Sequence, residues 1–323
     1  MIKNILITGG AGYIGSHVSE ILVKNKKKIF IVDNLSTGYK RLINKKAKFF
    51  KISIHETKKI KEIIFKYKID SIIHLAAVLS VNESEKKPKK YKKINIDGTK
   101  KLLNSLHKTN VKNIIFSSTC AVYKDGLSKV TEKSPVKPTS YYGKTKLKGE
   151  KLIISFCKKN KLNFGILRFF NVVGASMTSN IGQINQGDQL FKNLSIEIQK
   201  KKPIFKIYGT NYDTNDGTCI RDYIHVSDIA EIHYRVLKKI NLIKQSKIIN
   251  CGYSKGVSVN QVIQEFKKYA NRNLRVIKLS RRKGDMFKIT SDNKNLLKFI
   301  KWKPKFNKLK TMVKSSLIWE KKL

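Results

Sequence analysis

Short apolar, β-branched runs alternate through the first half of the chain with longer stretches whose apolar residues recur three and four positions apart. The short runs predict strands over 4–8, 29–32, 48–52, 71–75, 113–117 and 164–168. The longer ones predict helices over 13–24, 58–68, 89–108 and 142–159. This alternation predicts an α/β fold, a doubly wound parallel sheet with right-handed crossovers and helices on both faces. Past about residue 170 the rhythm loosens, Gly and Asn become frequent, and an irregular stretch runs to Tyr208. Helices are then expected near 227–239, 258–271 and 308–321. The expected division is a doubly wound domain over 1–175 and a smaller C-terminal domain over 176–323, some segments of which return to the first. The second would pack at the carboxyl ends of the strands, where open sheets bind ligands. No repeat, heptad pattern or low-complexity linker interrupts this layout.

At 323 residues the chain exceeds one average domain of about 150. A composition 41% hydrophobic and 28% charged excludes intrinsic disorder and a disulfide-dense mini-protein. No apolar run approaches the roughly 18 residues of a membrane span. Residues 1–8 read as a strand and not as a signal peptide. Cys120, Cys157, Cys219 and Cys251 lie far apart and in no metal-ligand spacing. Reduced thiols, no metal and a cytoplasmic location are the expectation.

Lys and Arg total 69 against 22 Asp and Glu, a net charge of +47, but 61 of the cations are Lys and only 8 are Arg. Specific nucleic-acid readers lean on Arg for bidentate contacts. Over a surface of roughly 13,600 Å², the excess charges stand about 17 Å apart, beyond a Debye length of about 8 Å. That describes a diffuse, screened coat, which AT-rich codon usage would also produce. Clusters at 86–90 and 200–202 read as solvated faces or turns. No specific nucleic-acid partner is expected, although the coat would attract an anionic small molecule.

Thr8-Gly9-Gly10-Ala11-Gly12-Tyr13-Ile14-Gly15 directly follows the first strand and opens a helix. It satisfies G-x-G-x-x-G through Gly10, Gly12 and Gly15, and G-x-x-G-x-x-G through Gly9, Gly12 and Gly15. Such glycines permit a tight turn, close approach of backbone to a pyrophosphate, and close helix–strand packing. Asp33 ends the second strand, 18 residues beyond Gly15. A carboxylate there hydrogen-bonds a ribose 2′-hydroxyl and repels a 2′-phosphate, which selects NAD over NADP.

Ser117-Ser118-Thr119 closes the fifth strand, and Tyr142-Gly143-Lys144-Thr145-Lys146 opens the next helix. Tyr142 and Lys146 are four residues apart, hence on one helical face. A phenol near pKa 10 is a poor base at neutral pH, and a nearby cation favours its phenolate. Thr119 can relay the proton beside it.

Together the glycine turn, Asp33, Thr119 and Tyr142/Lys146 resemble the extended short-chain dehydrogenase/reductase family. Four further segments are similar to its UDP-glucose 4-epimerase branch: His74-Leu75-Ala76-Ala77, the stretch 168–175 from Arg168, the stretch 216–226 around Arg221, and Arg281-Arg282-Lys283-Gly284-Asp285. The resemblance covers nearly the whole chain. It implies a Rossmann-type NAD-binding domain, a mainly UDP-sugar-binding C-terminal domain, NAD as cofactor, a UDP-sugar as substrate, and a homodimer through helices 89–108 and 142–159. It implies an NAD site lined by Gly9, Gly12, Tyr13, Ile14, Gly15, Asp33, Asn34, Leu35, Ser36, Thr37, Gly38, Leu75, Ala76, Ala77, Asn95 and Ser117. Ser53 and Ile54 fall at the adenine, Tyr142 and Lys146 at the nicotinamide ribose, and Phe170 at the nicotinamide. On the substrate side it implies Thr119, Asn171, Gln189, Leu190, Lys206, Ile207 and Tyr208, with Tyr208 stacking on uracil. Arg221 and Arg282 would clamp the diphosphate, Asp285 would hold the uridine ribose, and Ile289 would border the sugar.

Three positions depart from the pattern of the branch. Ser53 replaces an Asp at the adenine, Leu79 replaces a lysine near the phosphates, and Ile289 replaces a bulky tyrosine. The last leaves room for an N-acetyl group on the sugar. Four of the eight arginines, Arg168, Arg221, Arg281 and Arg282, fall in these motifs, which suits bidentate phosphate binding, with Arg168 the expected exception as a structural ion pair. His225 and His233 read as packing residues. The implied activity interconverts UDP-glucose and UDP-galactose through a 4-keto sugar, with Thr119, Tyr142 and Lys146 as its catalytic residues. UDP-N-acetylglucosamine or UDP-glucuronate 4-epimerisation is the alternative. A 4,6-dehydratase needs an acid–base pair beside the threonine, and Cys120-Ala121 stands there instead. A non-catalytic NAD- or RNA-binding role is the least supported.

Overall fold

A computed structural model describes residues 2–178, 180–281 and 287–323. Strands buried on both faces need continuous apolar runs, and Ile5, Leu6 and Ile7 in strand Asn4–Thr8 are all at 0% exposure. This strand pairs in parallel with Lys28–Val32 on one side and Ser71–His74 on the other. The full sheet has seven parallel strands in the order Lys247–Cys251, Asn163–Phe169, Asn113–Thr119, Ser71–His74, Asn4–Thr8, Lys28–Val32, Lys48–Phe50. Sequence direction reverses at Asn4–Thr8, so the crevice at its carboxyl end is where such a sheet takes a ligand.

Amphipathic helices cover both faces. Tyr13–Lys24 and Val226–Ile243 bury Val18, Leu22, Ile229 and Val236 on one side. Thr57–Lys66, Gly98–Ser105 and Tyr141–Lys159 bury Ile60, Ile64, Leu102 and Ile153 on the other. Each predicted strand of the first half forms, with ends shifted by at most two residues. Strand Lys247–Cys251 was not anticipated; it brings part of the second half into the main sheet beside Asn163–Phe169.

The helix predicted over 89–108 forms over 88–105 and widens midway, from Pro88–Tyr91 through a π-helical stretch Lys92–Asp97 to Gly98–Ser105. The wide stretch carries Asn95, whose buried side chain accepts from Val78 N at 3.0 Å and donates to Val78 O at 3.1 Å. Directly after it, Gly98 lets the chain pass so close to Ile54 that a Cβ would stand 2.4 Å from Ile54 Cδ1. Such inserted residues recur where a helix must aim one side chain.

The second half begins where the main strands end. Asn171–Val173 pairs with Ile220–His225, which also pairs with Gly256–Ser258 and Lys288–Ser291; the last pairs with Lys129–Val130. Ile204–Tyr208 and Arg275–Leu279 form a separate parallel pair. Helices Leu190–Glu197, Val259–Ala270 and Leu309–Glu320 enclose Leu194, Ile263, Phe266 and Val313. A capping box from Ser258 and Gln261 starts the second of these, and left-handed Asn271 ends it, so the predicted span 258–271 was the helix with both caps. No helix among the described residues is long and apolar enough to cross a membrane.

Candidate active site

Gly9 takes φ +74° at the end of strand Asn4–Thr8, and a Cβ there would lie 2.7 Å from Ala76 N. Glycine alone satisfies both the left-handed backbone and this contact between the ends of two neighbouring strands. A Cβ on Gly15 would fall 2.3 Å from Gly9 O, so the helix presses directly on the turn. Gly12 is the N-cap of Tyr13–Lys24 and has no side chain to cap it. The first amides of the helix are thereby left for a ligand, and helix N-termini attract anions. A tightly packed glycine turn that leaves the first helix amides without a side-chain cap fits the pyrophosphate of a dinucleotide.

Asp33 closes the turn from the next strand. Its Oδ2 accepts from Ala11 N at 3.0 Å and its Oδ1 from Leu35 N at 2.8 Å. Burial raises its pKa, and these two amides oppose the shift. Asn34, Ser36 and Thr37 are exposed along the following loop, Leu35 is left-handed at φ 60°, and Gly38 lies close against the Asp33 carboxylate. Below the turn, His74 bonds Thr8 Oγ1 at 2.7 Å and Thr99 Oγ1 at 3.0 Å. Burial holds that imidazole down at about 3, so it is a neutral tie between strands.

Thr119, Tyr142 and Lys146 converge beside this crevice, all at 9% exposure or less. Ser140 caps Tyr141–Lys159 by accepting from Gly143 N at 3.1 Å. A Cβ on Gly143 would be 2.3 Å from Ala121 O, so the start of the helix lies against the turn that follows Thr119. Tyr142 N donates to Ser84 Oγ at 3.0 Å. Burial pushes the Tyr142 phenol above its ordinary value, while a hydrogen bond with Thr119 pulls it back. Burial lowers Lys146 from 10.5 to about 8, and the Glu150 carboxylate works against that fall. The Lys146 ammonium lies 4.6 Å from the Phe116 ring centroid. A buried phenol that meets a threonine hydroxyl, on the same helical face as a buried ammonium, can take and return a proton.

Glu150, which the motifs did not single out, lies one turn beyond Lys146. It binds Arg168 in a bidentate pair, Oε1 to Nε at 2.9 Å and Oε2 to Nη2 at 2.7 Å. Ser118 donates to Oε1 at 2.5 Å. Arg168 Nη1 reaches Tyr123 Oη at 3.1 Å, and Tyr123 donates to Asn250 Oδ1 at 2.6 Å. Arg168 therefore makes the structural pair expected of it. The i, i+4, i+8 series Tyr142, Lys146, Glu150 is the signal that could have found Glu150 from the sequence.

The other candidates divide. Leu75, Ala76 and Ala77 edge the crevice beside Gly9, and Asn95 Nδ2 also ties Thr145 Oγ1 at 3.0 Å, one residue before Lys146. Tyr13 donates to Gly174 O at 2.5 Å, Ser117 bonds His233 at 3.3 Å, and Ser53 binds Glu56 through its amide. Ile54 is buried against Gly98. Phe170 and Ile289 pack together with Val122, Tyr123 and Val130. Ile289 is 1% exposed, and its side chain belongs to this apolar cluster. Asn171, Gln189 and Lys206 are exposed, and Tyr208 and Arg221 are half-buried. Ile207 turns into the second core while Lys206 and Tyr208 share the other strand face, and Leu190 packs against that core. Arg281 stacks 4.2 Å from the Tyr212 ring centroid and binds Asn211. Arg282 and Asp285 lie outside the described residues. His225 and His233 are fully buried and hydrogen-bonded, and all four cysteines are free thiols.

Comparison with known proteins agrees with this geometry. The NAD dependent epimerase/dehydratase family matches residues 5–252. The UDP-glucose 4-epimerase of Lactobacillus helveticus is 34% identical over 321 residues, which span 98% of this chain and 97% of its own. The crystal structure of the Brucella ovis UDP-glucose 4-epimerase in complex with NAD superposes with a TM-score of 0.94 at 30% identity, covering 98% of both chains. The UDP-Glc/GlcNAc 4-epimerase of Campylobacter jejuni superposes at 0.87 with 36% identity, covering 99% of this chain and 100% of that one.

Proposed function

The chain belongs to the NAD dependent epimerase/dehydratase family, and from that premise we propose that it is an NAD-dependent enzyme interconverting UDP-glucose and UDP-galactose by 4-epimerisation. The observation that carries this is the buried convergence of Thr119, Tyr142 and Lys146 beside the glycine crevice. Gly9, Gly12 and Gly15 would hold the NAD pyrophosphate, and Asp33 its adenosine ribose. Bound NAD supplies the acceptor, and then the donor, of a hydride at one sugar carbon. Tyr142 takes the proton of the 4-hydroxyl as C4 is oxidised, and Lys146 stabilises the phenolate. Thr119 orients the hydroxyl. The 4-keto sugar turns over about its diphosphate link, held by Arg221 and Arg282, and Tyr142 returns the proton as C4 is reduced on its other face. Because no net redox occurs, NAD has no reason to leave between turnovers.

UDP-N-acetylglucosamine is the second reading, favoured by the 36% identity to a relative named for both sugars. We further infer that residues 176–323 mainly hold the UDP-sugar, that the protein is a cytoplasmic homodimer, and that the helices over 88–105 and Tyr141–Lys159 supply its interface. The decisive experiment incubates purified protein with separate UDP-sugars, without added NAD, and separates the products. Conversion of UDP-glucose to UDP-galactose is expected. No conversion of any UDP-hexose defeats the reading.

A further inference from the structure

Residues 180–189 lie outside every helix and strand, yet they are fastened on both sides of the cofactor crevice. On one bank, past strand Lys28–Val32, Asn185 Nδ2 donates to Thr37 O at 2.7 Å and the Tyr39 hydroxyl donates to Asn185 Oδ1 at 2.5 Å. On the other, past strand Ser71–His74, the Ser80 hydroxyl donates to Asp188 Oδ2 at 2.7 Å. Between these banks lies strand Asn4–Thr8 with its glycine turn. The segment from Asn185 to Asp188 therefore joins the two banks across the carboxyl end of strand Asn4–Thr8, where the dinucleotide would lie.

Both ends of the crossing are rooted in the C-terminal helix. Trp319 Nε1 donates to Gln183 O at 2.7 Å, and the Trp319 ring packs so tightly on Gly182 that a Cβ would come within 2.6 Å. Beyond the crossing, Lys192 grips both oxygens of Glu320, at 3.0 and 2.7 Å, in a buried ion pair. The roots are buried, whereas the fastenings to Thr37, Tyr39 and Ser80 are at the surface. A surface hydrogen bond adds only about 0.5–1.5 kcal/mol, so these fastenings open far more readily than the roots.

We propose that Asn185 and Asp188 are positioning residues that bolt this strap across the crevice and set how slowly NAD leaves. The proposal rests on the NAD dependence of the family and not on the choice of sugar. Its test uses full-length protein loaded with NAD and freed of excess by gel filtration. Released NAD is trapped by alcohol dehydrogenase and ethanol and read as NADH absorbance. Asn185→Ala is expected to release NAD about tenfold faster and Tyr39→Phe about threefold faster, from the loss of two hydrogen bonds and of one. With saturating NAD, kcat and Tm stay close to those of the parent. Release within about twofold of the parent in both variants overturns the proposal, as does a fall in kcat with release unchanged. If Asn185→Ala fails to fold, Tyr39→Phe, which removes a single surface hydroxyl, decides alone. A chain that holds NAD but converts no UDP-sugar defeats the substrate reading and leaves this measurement intact.

Discussion

Tyr142 and Lys146 are each buried against their chemistry, for burial disfavours both the phenolate and the ammonium. On one helical face, a phenolate and an ammonium formed together would compensate each other. Tyr142→Phe should fold and retain NAD, yet lose epimerisation by about three orders of magnitude or more; single-turnover kinetics on the NAD-loaded variant would read this, and activity within about tenfold of the parent removes Tyr142 from the role. Lys146 titrates at about 8 when folded against 10.5 when free. The unfolded chain therefore holds more protons between those values, so the cost of burying the ammonium is fully present below about 8 and stability rises with pH across that window. Activity runs the other way. Because the phenolate needs its cation, kcat should fall as pH rises through about 8, and a flat profile to the alkaline end would show that Lys146 does not supply the charge. Ile289 asks for a different prediction from the one its sequence position suggests. Tyrosine in its buried cluster with Val122, Tyr123, Val130 and Phe170 carries an overpacking cost of about 1–3 kcal/mol. Ile289→Tyr should therefore lower Tm and reduce kcat/KM for plain and N-acetylated sugars alike. Selective loss of the acetylated substrate at unchanged Tm would place Ile289 in the sugar pocket.

Three elements meet at Glu150: its own helix Tyr141–Lys159, strand Asn113–Thr119 through Ser118, and strand Asn163–Phe169 through Arg168. Ser118 precedes Thr119 and Glu150 follows Lys146 by one turn, so this buried knot fixes the threonine strand against the Tyr–Lys helix. Removing one charge strands the other. Arg168→Met or Glu150→Gln alone should cost about 3–5 kcal/mol, and the double variant less than the sum. Urea melts of the four proteins would close the cycle, and additive losses would show that the two charges are not coupled. The knot also marks where sequence reading stops. Glycine spacing, Asp33 and Tyr142/Lys146 were legible because each is a local pattern with a fixed chemical meaning. The i, i+4, i+8 series could have pointed to Glu150, but its pairing was hidden because the partner lies 18 residues away on another element. Strand Lys247–Cys251 was hidden because its apolar residues, Ile248, Ile249 and Cys251 between Lys247 and Asn250, are too few to carry a period of their own. The widening at Lys92–Asp97 escaped because Asn95 and Gly98 carry no signal until Val78 and Ile54 are placed against them. The uridine end was read by resemblance alone, and its Arg282 and Asp285 lie outside the described residues.

Over the whole molecule the lysine excess behaves as a field and not as a site. The exposed area is 16377 Å², so the +47 charges stand roughly 19 Å apart, more than twice the physiological Debye length of about 8 Å. At that ionic strength the excess is screened on average, and the clusters at 86–87, 89–90 and 200–202 are exposed, as solvated faces should be. At about 0.01 M salt the screening length grows to about 30 Å and the separate fields merge. Two consequences then run in opposite directions. Self-repulsion strains the folded state, so Tm should climb as salt rises from about 0.01 to 0.15 M. Attraction of a UDP-sugar carrying a diphosphate weakens over the same range, so kcat/KM should fall several-fold while kcat holds. Thermal melts and initial rates in one salt series would measure both. A fall in kcat along with kcat/KM would trace the salt effect to the reacting groups. A kcat/KM independent of salt, with Tm still climbing, would mean that the coat burdens the fold without guiding the substrate.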